Sequence, residues 1–214
     1  MEMSEFHNFN HTKIGVRSQW IIGIDEVGRG PLAGPVVVAG VKINSKLKNQ
    51  NAKFWKGIKD SKKLTPKQRE EWFLVLTSNP QITWATAQVL PQTIDRINIA
   101  RAADLGVRRV YRKLSTDQNG RLRIVMDGGL KLPQYIPHEV IIKGDERVPI
   151  IAAASIIAKV IRDRIMLQLH KKFPQYGFDR HKGYGTKLHR ESIVMYGFTP
   201  VHRFSFCSSI NPNE

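Results

Sequence analysis

Acidic residues with a glycine one or two positions away occur at three separate places in this chain. Asp25 and Glu26 directly follow a short apolar run, Asp127 ends another, and Asp145 follows Gly144 after a third. Carboxylate oxygens are the ligands that hard divalent cations prefer. Clustered carboxylates repel one another unless cations neutralise them. One or two Mg²⁺ or Mn²⁺ ions would therefore explain all four acids, as a metal site for phosphodiester hydrolysis.

A glycine-rich basic loop follows the first acid pair. Gly28 and Gly30 lack side chains, so the backbone there could approach a ligand closely. Arg29 between them could meet a phosphate with its planar guanidinium. The loop matches neither the dinucleotide fingerprint, whose third glycine is missing, nor the phosphate loop, whose Lys-Ser/Thr pair is replaced. Taken alone, such a loop after a strand is more often an ordinary turn.

The charge of the chain favours a polyanionic partner. Its 214 residues include 34 Lys and Arg against 18 Asp and Glu, which gives a net charge of +16. Such an excess most often serves nucleic-acid binding. No apolar run is long enough to span a membrane, and the polar N-terminus lacks the apolar core of a secretory signal. A single cysteine, Cys207, is interpreted as a packing residue and suits a reducing cytoplasm.

Apolar runs and amphipathic segments alternate along the chain, which predicts an α/β domain with a mixed central sheet. Strands are predicted over residues 20–24, 35–43, 82–90, 121–126 and 139–143, and helices over about 65–79, 94–114, 149–172 and 187–196. We expect one domain over residues 18–208, with a helical C-terminal segment from about 173. A flexible leader (1–17) and a polar tail (209–214) would flank it.

Residue spacing predicts which helix faces are buried. Thr65 and Gln68 have the spacing of a capping box at the start of the first helix. The same helix is predicted to turn Trp72, Val75 and Leu76 towards the core. In the second helix the predicted buried stripe consists of Ala100, Ala103, Val107, Val110 and Leu114.

Convergence of the acids depends on the sheet. A sheet can bring distant strand ends together, so the acid-bearing strand ends could form one site. Adjacent residues on a regular strand point to opposite faces. Asp25 and Glu26 could therefore share a site only if the strand deforms, which Gly28 and Gly30 would permit.

In order along the chain, these motifs resemble bacterial ribonuclease HII. The resemblance covers about residues 20–206. It rests on Ile24-Asp25-Glu26-Val27-Gly28-Arg29-Gly30-Pro31-Leu32-Ala33-Gly34, Asp60-Ser61-Lys62-Lys63-Leu64, Met126-Asp127-Gly128, Lys143-Gly144-Asp145, Ala153-Ala154-Ser155-Ile156-Ile157-Ala158-Lys159-Val160, Phe173-Pro174-Gln175-Tyr176-Gly177 and His181-Lys182-Gly183-Tyr184. It implies a ribonuclease H-like fold, in which helices flank a mixed five-stranded sheet and a small helical extension lies at the C-terminus. The related ribonuclease HIII has an additional N-terminal domain, for which the short leader is expected to have no room.

The resemblance also implies an activity. It implies endonucleolytic cleavage of the RNA strand of RNA–DNA hybrids and of single ribonucleotides embedded in duplex DNA, leaving 5′-phosphate and 3′-hydroxyl ends. Asp25, Glu26, Asp127 and Asp145 would be the catalytic, metal-binding carboxylates. The protein is expected to act as a monomer, in the cytoplasm and without a membrane partner.

Substrate contacts follow from the same resemblance. The Gly28-Arg29-Gly30 backbone would contact the ribose 2′-hydroxyl and adjoining phosphates, and Tyr184 would pack on the sugar at the RNA–DNA junction. The 2′-hydroxyl is what distinguishes RNA from DNA at a given site. Lys62 and Lys63 are candidate phosphate contacts because of the net charge, although a surface lysine pair is as often simply solvated.

Two alternatives remain open from the residues. A non-catalytic RNA-binding protein would share the basic charge but would gain nothing from acids buried beside phosphate. Another nuclease or a transposase-like enzyme could use the same fold. His181, His189 and His202 lack the spacing of metal ligands and are interpreted as polar surface residues or phosphate contacts. Lys159 and Asp163 have the spacing of a helical ion pair.

Overall fold

A five-stranded mixed sheet lies at the centre of the molecule. The computed structural model describes residues 19–46, 55, 57–58, 61–115 and 122–211, so the predicted leader lies outside it. The strands are β1 (Trp20–Val27), β2 (Val36–Asn44), β3 (Thr83–Val89), β4 (Leu122–Asp127) and β5 (Glu139–Ile141). They lie in the order β3-β2-β1-β4-β5. β1 is antiparallel to β2 and parallel to β4, which is parallel to β5.

Helices cover the sheet and extend beyond it. In the described residues they are α1 (Pro66–Ser78), α2 (Pro91–Ile97), α3 (Ile99–Leu114), α4 (Gly144–Arg147), α5 (Pro149–Lys172), α6 (Phe178–His181) and α7 (Lys187–Tyr196). Short 3₁₀ turns lie at Ser61–Lys63, Pro174–Tyr176 and Phe204–Phe206. None of the described helices combines the length and apolarity needed to cross a bilayer.

The two faces of the sheet form separate apolar clusters. On one face α5 packs against alternate residues of the central strands, such as Val41 and Val125. On the other face Val107 and Val110 of α3 pack with Ile22 and Ile24 of β1. This alternation along the strands is what a two-sided sheet requires, and it confirms the predicted α/β architecture.

Close approach of α5 to β1 depends on a glycine. The first half of α5 is buried on all sides, as its apolar sequence predicts. A Cβ placed on Gly23 would lie only 2.6 Å from the backbone carbon and oxygen of Ile150. The missing side chain therefore lets the start of this helix lie directly on the central strand.

Helix α1 begins as predicted, but its buried face is shifted. The Thr65 hydroxyl accepts the N–H of Gln68, whose side chain accepts the N–H of Thr65, which completes the capping box. Leu76 is buried as predicted. Val75, predicted to face the core, is 47% exposed, whereas Phe73 is buried. The helix is therefore rotated by a fraction of a turn from the predicted orientation.

The helix predicted over 94–114 is wrong as a single element, because the chain breaks at Asn98. Asn98 adopts a left-handed φ of 65°, and its side chain accepts the Arg101 N–H as the N-cap of α3. Asparagine tolerates this conformation better than most residues. Of the predicted stripe, Ala103, Val107, Val110 and Leu114 are buried as predicted, whereas Ala100, next to the break, is exposed.

The C-terminal segment forms its own apolar cluster. Tyr176, Phe178 and Ile193 pack with Leu32 and Ala33 of the loop that follows β1, and with Met166 of α5, Cys207 and Ile210. Cys207 is buried, as its interpretation as a packing residue predicts. Ile210, assigned to the polar tail from sequence, is part of this cluster. The C-terminal segment therefore packs directly against the glycine-rich loop.

Replacing Gly23 with alanine tests the close approach of α5. We expect Gly23→Ala to lower the free energy of unfolding by about 2 kcal/mol or more, because the helix backbone must move away from β1. Urea unfolding followed by circular dichroism measures the change. Gly128→Ala is the matched control, since its added Cβ would meet neighbours only at 3.5 Å. Equal stabilities of the two variants would contradict this account of the packing.

Candidate active site

Three carboxylates converge at one end of the central strands. Asp25, Glu26 and Asp127 each offer an oxygen, and these oxygens all lie within 4.8 Å of one another. Asp127 is the last residue of β4, and the parallel register pairs Ile24 with Met126. The residues that follow this pair on each strand are therefore neighbours, so the parallel pairing alone brings Asp25 beside Asp127.

The predicted deformation of the strand takes a different form. β1 extends to Val27 instead of ending at Ile24, and its pairing with β2 continues through both acids. Pairing with β4 stops before Asp25, which leaves the Glu26 N–H available on that side. Asp25 Oδ1 accepts this N–H at 2.7 Å. The Asp25 side chain thus bends along the strand towards its neighbour, and both acids reach one site.

Burial makes this cluster electrostatically costly. Asp25 is 4% exposed, and burial together with repulsion from Glu26 and Asp127 raises its pKa well above its usual value. Burial, opposed by the Arg29 guanidinium, raises the pKa of Glu26 to about 7. Glu26 Oε2 is buried and has no hydrogen-bond partner. An orphaned oxygen within a cluster of buried carboxylates fits a site that a divalent cation completes.

Asp145 lies close by, but outside this group. The prediction that the third acid-bearing strand ends at Gly144-Asp145 is wrong, because β5 ends at Ile141. Lys143 adopts a left-handed φ of 55° and turns the chain into α4, whose first turn contains the buried Asp145. The Gly144 N–H donates to Asp127 Oδ1 at 2.7 Å. The described structure therefore places three of the four predicted acids together and connects the fourth through its neighbour.

Two serines beneath the cluster, Ser61 and Ser155, lie in motifs named above, but the sequence analysis assigned them no role. The Ser155 side chain of α5 hydrogen-bonds to Asp25, which lowers the pKa of that carboxyl against the effect of burial. Ser155 Oγ lies 2.9 Å from Ser61 Oγ, and both residues are buried. The available signal was a lone hydroxyl inside the otherwise apolar stretch 150–158.

The glycine-rich loop and Tyr184 flank the acids. Arg29 Nη1 lies 3.4 Å from Glu26 Oε1 and from the Gly129 carbonyl. Tyr184 is 44% exposed, and a Cβ on Gly30 would lie 3.9 Å from its ring. The side chains of these predicted substrate residues therefore border one face of the site.

Of the two lysines predicted to contact phosphate, the structure describes the side chain of Lys63 but not that of Lys62. Lys63 is exposed and pairs with Glu146 of α4 at 2.9 Å, one residue from Asp145. The side chain of Lys62 lies outside the described part of the structure, so its predicted phosphate contact stays a prediction. Lys159 and Asp163 pair at 2.7 Å, which confirms the predicted ion pair.

The interpretation of His189 and His202 as polar surface residues is wrong. Both rings are buried in the C-terminal segment. The Thr199 N–H donates to His202 Nδ1, so the His202 proton lies on Nε2 and faces His189 Nε2 at 3.3 Å. The proton of His189 then lies on Nδ1 and is donated to the Tyr184 carbonyl. A relay of neutral histidines therefore holds the backbone of Tyr184.

His181 belongs to the same group. Its ring stacks on His189 with centroids 4.5 Å apart, and it accepts the Gly183 N–H on Nδ1. Burial lowers the pKa of His181 and lowers the pKa values of His189 and His202 to about 4. Sequence spacing carried no sign of this, because the contacts join residues of separate turns.

Comparison with known proteins places this geometry in a family. The Ribonuclease HII family model matches residues 22–209. Ribonuclease HII of Chlamydia pneumoniae is 44% identical over 186 residues, which are 87% of this chain and 82% of that protein. Ribonuclease HII of Alkaliphilus metalliredigens is 42% identical over 201 residues, which are 89% of this chain and 91% of that protein.

Solved structures agree with the fold. The crystal structure of ribonuclease H2 from Pyrococcus horikoshii OT3 superposes with a TM-score of 0.69 at 29% identity, and covers 89% of this chain and 96% of that one. Bst-RNase HIII in complex with Mn²⁺ superposes with a TM-score of 0.67 at 20% identity, and covers 89% of this chain and 68% of that one. The second likeness concerns the fold alone. Together they confirm the predicted ribonuclease H-like sheet with flanking helices.

Removing the Ser155 hydroxyl tests its role beneath the cluster. Without this donor the pKa of Asp25 should rise further, so protons would compete more strongly with cations. We expect Ser155→Ala to weaken Mn²⁺ binding at pH 7 by about tenfold, the effect of one hydrogen bond to a charged group. Titration calorimetry measures the affinity. Ser192→Ala, which removes a hydroxyl bonded only to the Leu188 carbonyl, should bind as the wild type does, and unchanged affinity of Ser155→Ala would refute the role.

The histidine relay predicts a pH-dependent stability. Native pKa values of about 4 lie below the ordinary 6.5, so the unfolded chain binds more protons between these values. The stabilisation is complete above pH 6.5 and is lost as the pH falls towards 4. We expect the free energy of unfolding to fall more between pH 7 and pH 5 in the wild type than in His189→Gln. His138→Gln, outside the relay, should keep the wild-type slope, and identical slopes for all three proteins would contradict the prediction.

Proposed function

The chain belongs to the ribonuclease HII family, and on this premise we propose that Asp25, Glu26 and Asp127 form the catalytic centre of the enzyme. The family and its structural neighbours make the protein a type 2 ribonuclease H, an endonuclease that acts on RNA–DNA hybrids. The convergence of three carboxylate oxygens within 4.8 Å of one another, from the buried Asp25 and the half-buried Glu26 and Asp127, carries the proposal. A protein that only binds RNA has no use for such a cluster, because buried acids repel phosphate.

Enzymes of this family are metal-dependent, and we propose that Mg²⁺ or Mn²⁺ serves here, as one or two ions. Asp25, Glu26 and Asp127 would hold the metal, and the orphaned Glu26 Oε2 supports this assignment. We propose the buried Asp145 as a fourth ligand, because its neighbour Gly144 already binds Asp127. When bound, such cations activate water and stabilise the leaving oxygen in phosphodiester hydrolysis.

The protein's own groups prepare the acids for this chemistry. Ser155 and the Glu26 N–H stabilise the ionised form of Asp25. Arg29 favours the ionised form of Glu26, and the Gly144 N–H fixes the orientation of Asp127. Each acid thus has at least one hydrogen-bond donor that orients it towards the cluster, where it can bind a cation.

Substrate recognition is proposed for the loop and for Tyr184. The backbone of Gly28-Arg29-Gly30 would contact the ribose 2′-hydroxyl and adjoining phosphates, and the exposed Tyr184 ring beside Gly30 would pack on the sugar. Lys63, Lys62 and the net charge of +16 would attract the duplex. We propose cleavage at single embedded ribonucleotides as well as in hybrids, with 5′-phosphate and 3′-hydroxyl products.

We further propose that the enzyme acts as a monomer in the cytoplasm, with one catalytic domain over residues 18–208. The packing of the C-terminal cluster against the loop after β1 supports one domain. A buried single cysteine, Cys207, suits a reducing compartment.

The experiment that tests this function compares two substrates and two variants. A DNA duplex with one ribonucleotide should be cut in Mg²⁺ or Mn²⁺, whereas the all-DNA duplex should not, and EDTA should abolish cutting. We expect Asp127→Asn to reduce kcat by at least about 10³-fold, because the loss of a carboxylate disrupts metal binding. Asp163→Asn removes a carboxylate that pairs with Lys159 outside the cluster and should retain activity. Equal cutting of both duplexes, or an active and folded Asp127→Asn, would refute the proposal.

A further inference from the structure

Two arginines are fully buried beneath the glycine-rich loop. Arg203 and Arg162 have no exposed surface, although arginine is rarely buried without a carboxylate partner. In the described part of the chain neither forms an ion pair. Their positive charges are instead surrounded by backbone carbonyls, all from the segment that follows β1.

Arg203 binds three carbonyls of this segment. Its Nη2, Nη1 and Nε atoms donate to the carbonyls of Gly28, Arg29 and Gly34 at 2.7, 2.8 and 2.9 Å. Its own backbone N–H donates to the Leu32 carbonyl at 2.7 Å. A planar guanidinium with several donors can make such contacts at the same time. The residue therefore fixes both ends of the loop at once.

Arg162 supports the loop from α5. Its Nε donates to the Pro35 carbonyl at 3.1 Å and its Nη2 to the Ala33 carbonyl at 3.3 Å. Gly28 has a φ of 92°, and a Cβ there would collide with the Arg162 side chain. The guanidinium also lies 5.9 Å from the centre of the Tyr184 ring. The two arginines thus bind carbonyls at both ends of the loop, and Arg162 also contacts Tyr184, the residue proposed to hold the sugar.

Inward carbonyls determine where the adjacent N–H groups point. The described peptide bonds are trans, and in a trans peptide the C=O and N–H groups point in opposite directions. Because the carbonyls of Gly28 and Arg29 face Arg203, the N–H groups of Arg29 and Gly30 face away from it. Neither N–H has an acceptor among the described residues. Two neighbouring free donors therefore face outward beside Tyr184.

The position of Arg203 is set in turn by α2. Asp95 accepts the N–H groups of Phe204 and Ser205 at 3.1 and 3.0 Å and the Ser205 hydroxyl at 2.5 Å. This carboxylate therefore fixes the turn that follows Arg203. Asp95 of α2 is in this way connected, through the buried Arg203, to the N–H groups of the loop.

We propose that Arg203 is a positioning residue for ribose recognition: by turning the carbonyls of Gly28 and Arg29 inward it aims the N–H groups of Arg29 and Gly30 at the 2′-hydroxyl and adjoining phosphate. The inference rests on the proposed function, which assigns substrate contact to this loop. It adds to this loop the role of Arg203, which is far from the loop in sequence and contacts no substrate itself. Recognition of RNA then depends on the buried guanidinium of Arg203 as well as on Gly28 and Gly30.

Arg203→Lys tests this role, because an ammonium keeps the charge but cannot bind three carbonyls in the same geometry. The measurements are the KM for a duplex with one ribonucleotide and the Ki of the all-DNA duplex as a competitive inhibitor. We expect the ratio of Ki to KM to fall by about tenfold, the effect of weakening a hydrogen bond to a polar substrate group. Mn²⁺ affinity should stay within about twofold of the wild type, because the carboxylate cluster is untouched.

Controls separate recognition from folding. Arg164→Lys changes an exposed arginine of α5 that pairs with Glu70, and it should leave the ratio unchanged. Asp95→Asn weakens the hydrogen bonds that fix the turn after Arg203 but keeps Arg203 itself, so it should also lower the ratio of Ki to KM. If Arg203→Lys does not fold, Asp95→Asn provides the test. The inference would be overturned if a folded Arg203→Lys or Asp95→Asn kept the wild-type ratio of Ki to KM. It would also be overturned if the variant lost only kcat. Wild-type enzyme that cuts both duplexes equally would instead overturn the proposed function.

Discussion

Mutual repulsion of three clustered acids, one buried and two half-buried, is the constraint around which this structure is arranged. Asp25, Glu26 and Asp127 lie within 4.8 Å of one another at the end of the central strands. Ser155, Arg29 and the Gly144 N–H each offset part of the cost for one of them. The offset is incomplete, since the pKa values of Asp25 and Glu26 remain raised. Such a site holds its charge fully only when cations are present.

One helix connects the cluster with the loop. Gly23 lets α5 lie directly on β1, and the same helix contains Ser155 and Arg162, seven positions apart and hence on one face. Ser155 contacts Asp25. Arg162 donates hydrogen bonds to the carbonyls of Pro35 and Ala33. The position of α5 on the sheet therefore affects both the acids proposed to bind the catalytic cations and the loop proposed to recognise the ribose.

What could be predicted from the sequence depended on whether the signal was local. The strands that carry Asp25 and Asp127, the capping box at Thr65 and the bounds of α5 and α7 follow from periodicity and spacing. The placement of Asp145 could not be predicted, because it depends on a left-handed Lys143. The break between α2 and α3 at Asn98 could not be predicted either.

Buried polar residues were the other source of error. Arg162 and Arg203 belong to a residue type that usually lies at the surface, and histidines such as His189 and His202 are only intermediate, so composition does not predict their burial. The partners of the two arginines are backbone carbonyls from distant segments, and no spacing within the sequence encodes such contacts. Ser155 is the exception, since a hydroxyl within an apolar helix is visible in the sequence.

The contact between Arg203 and Gly28 joins residues 175 positions apart. During synthesis β1 and its loop leave the ribosome long before the arginine that shapes them. Closing so long a stretch of chain carries an entropic cost that only the packed C-terminal cluster offsets. The loop consequently takes its final form only after residue 203 has been synthesised, later than Asp25, Glu26 and Asp127.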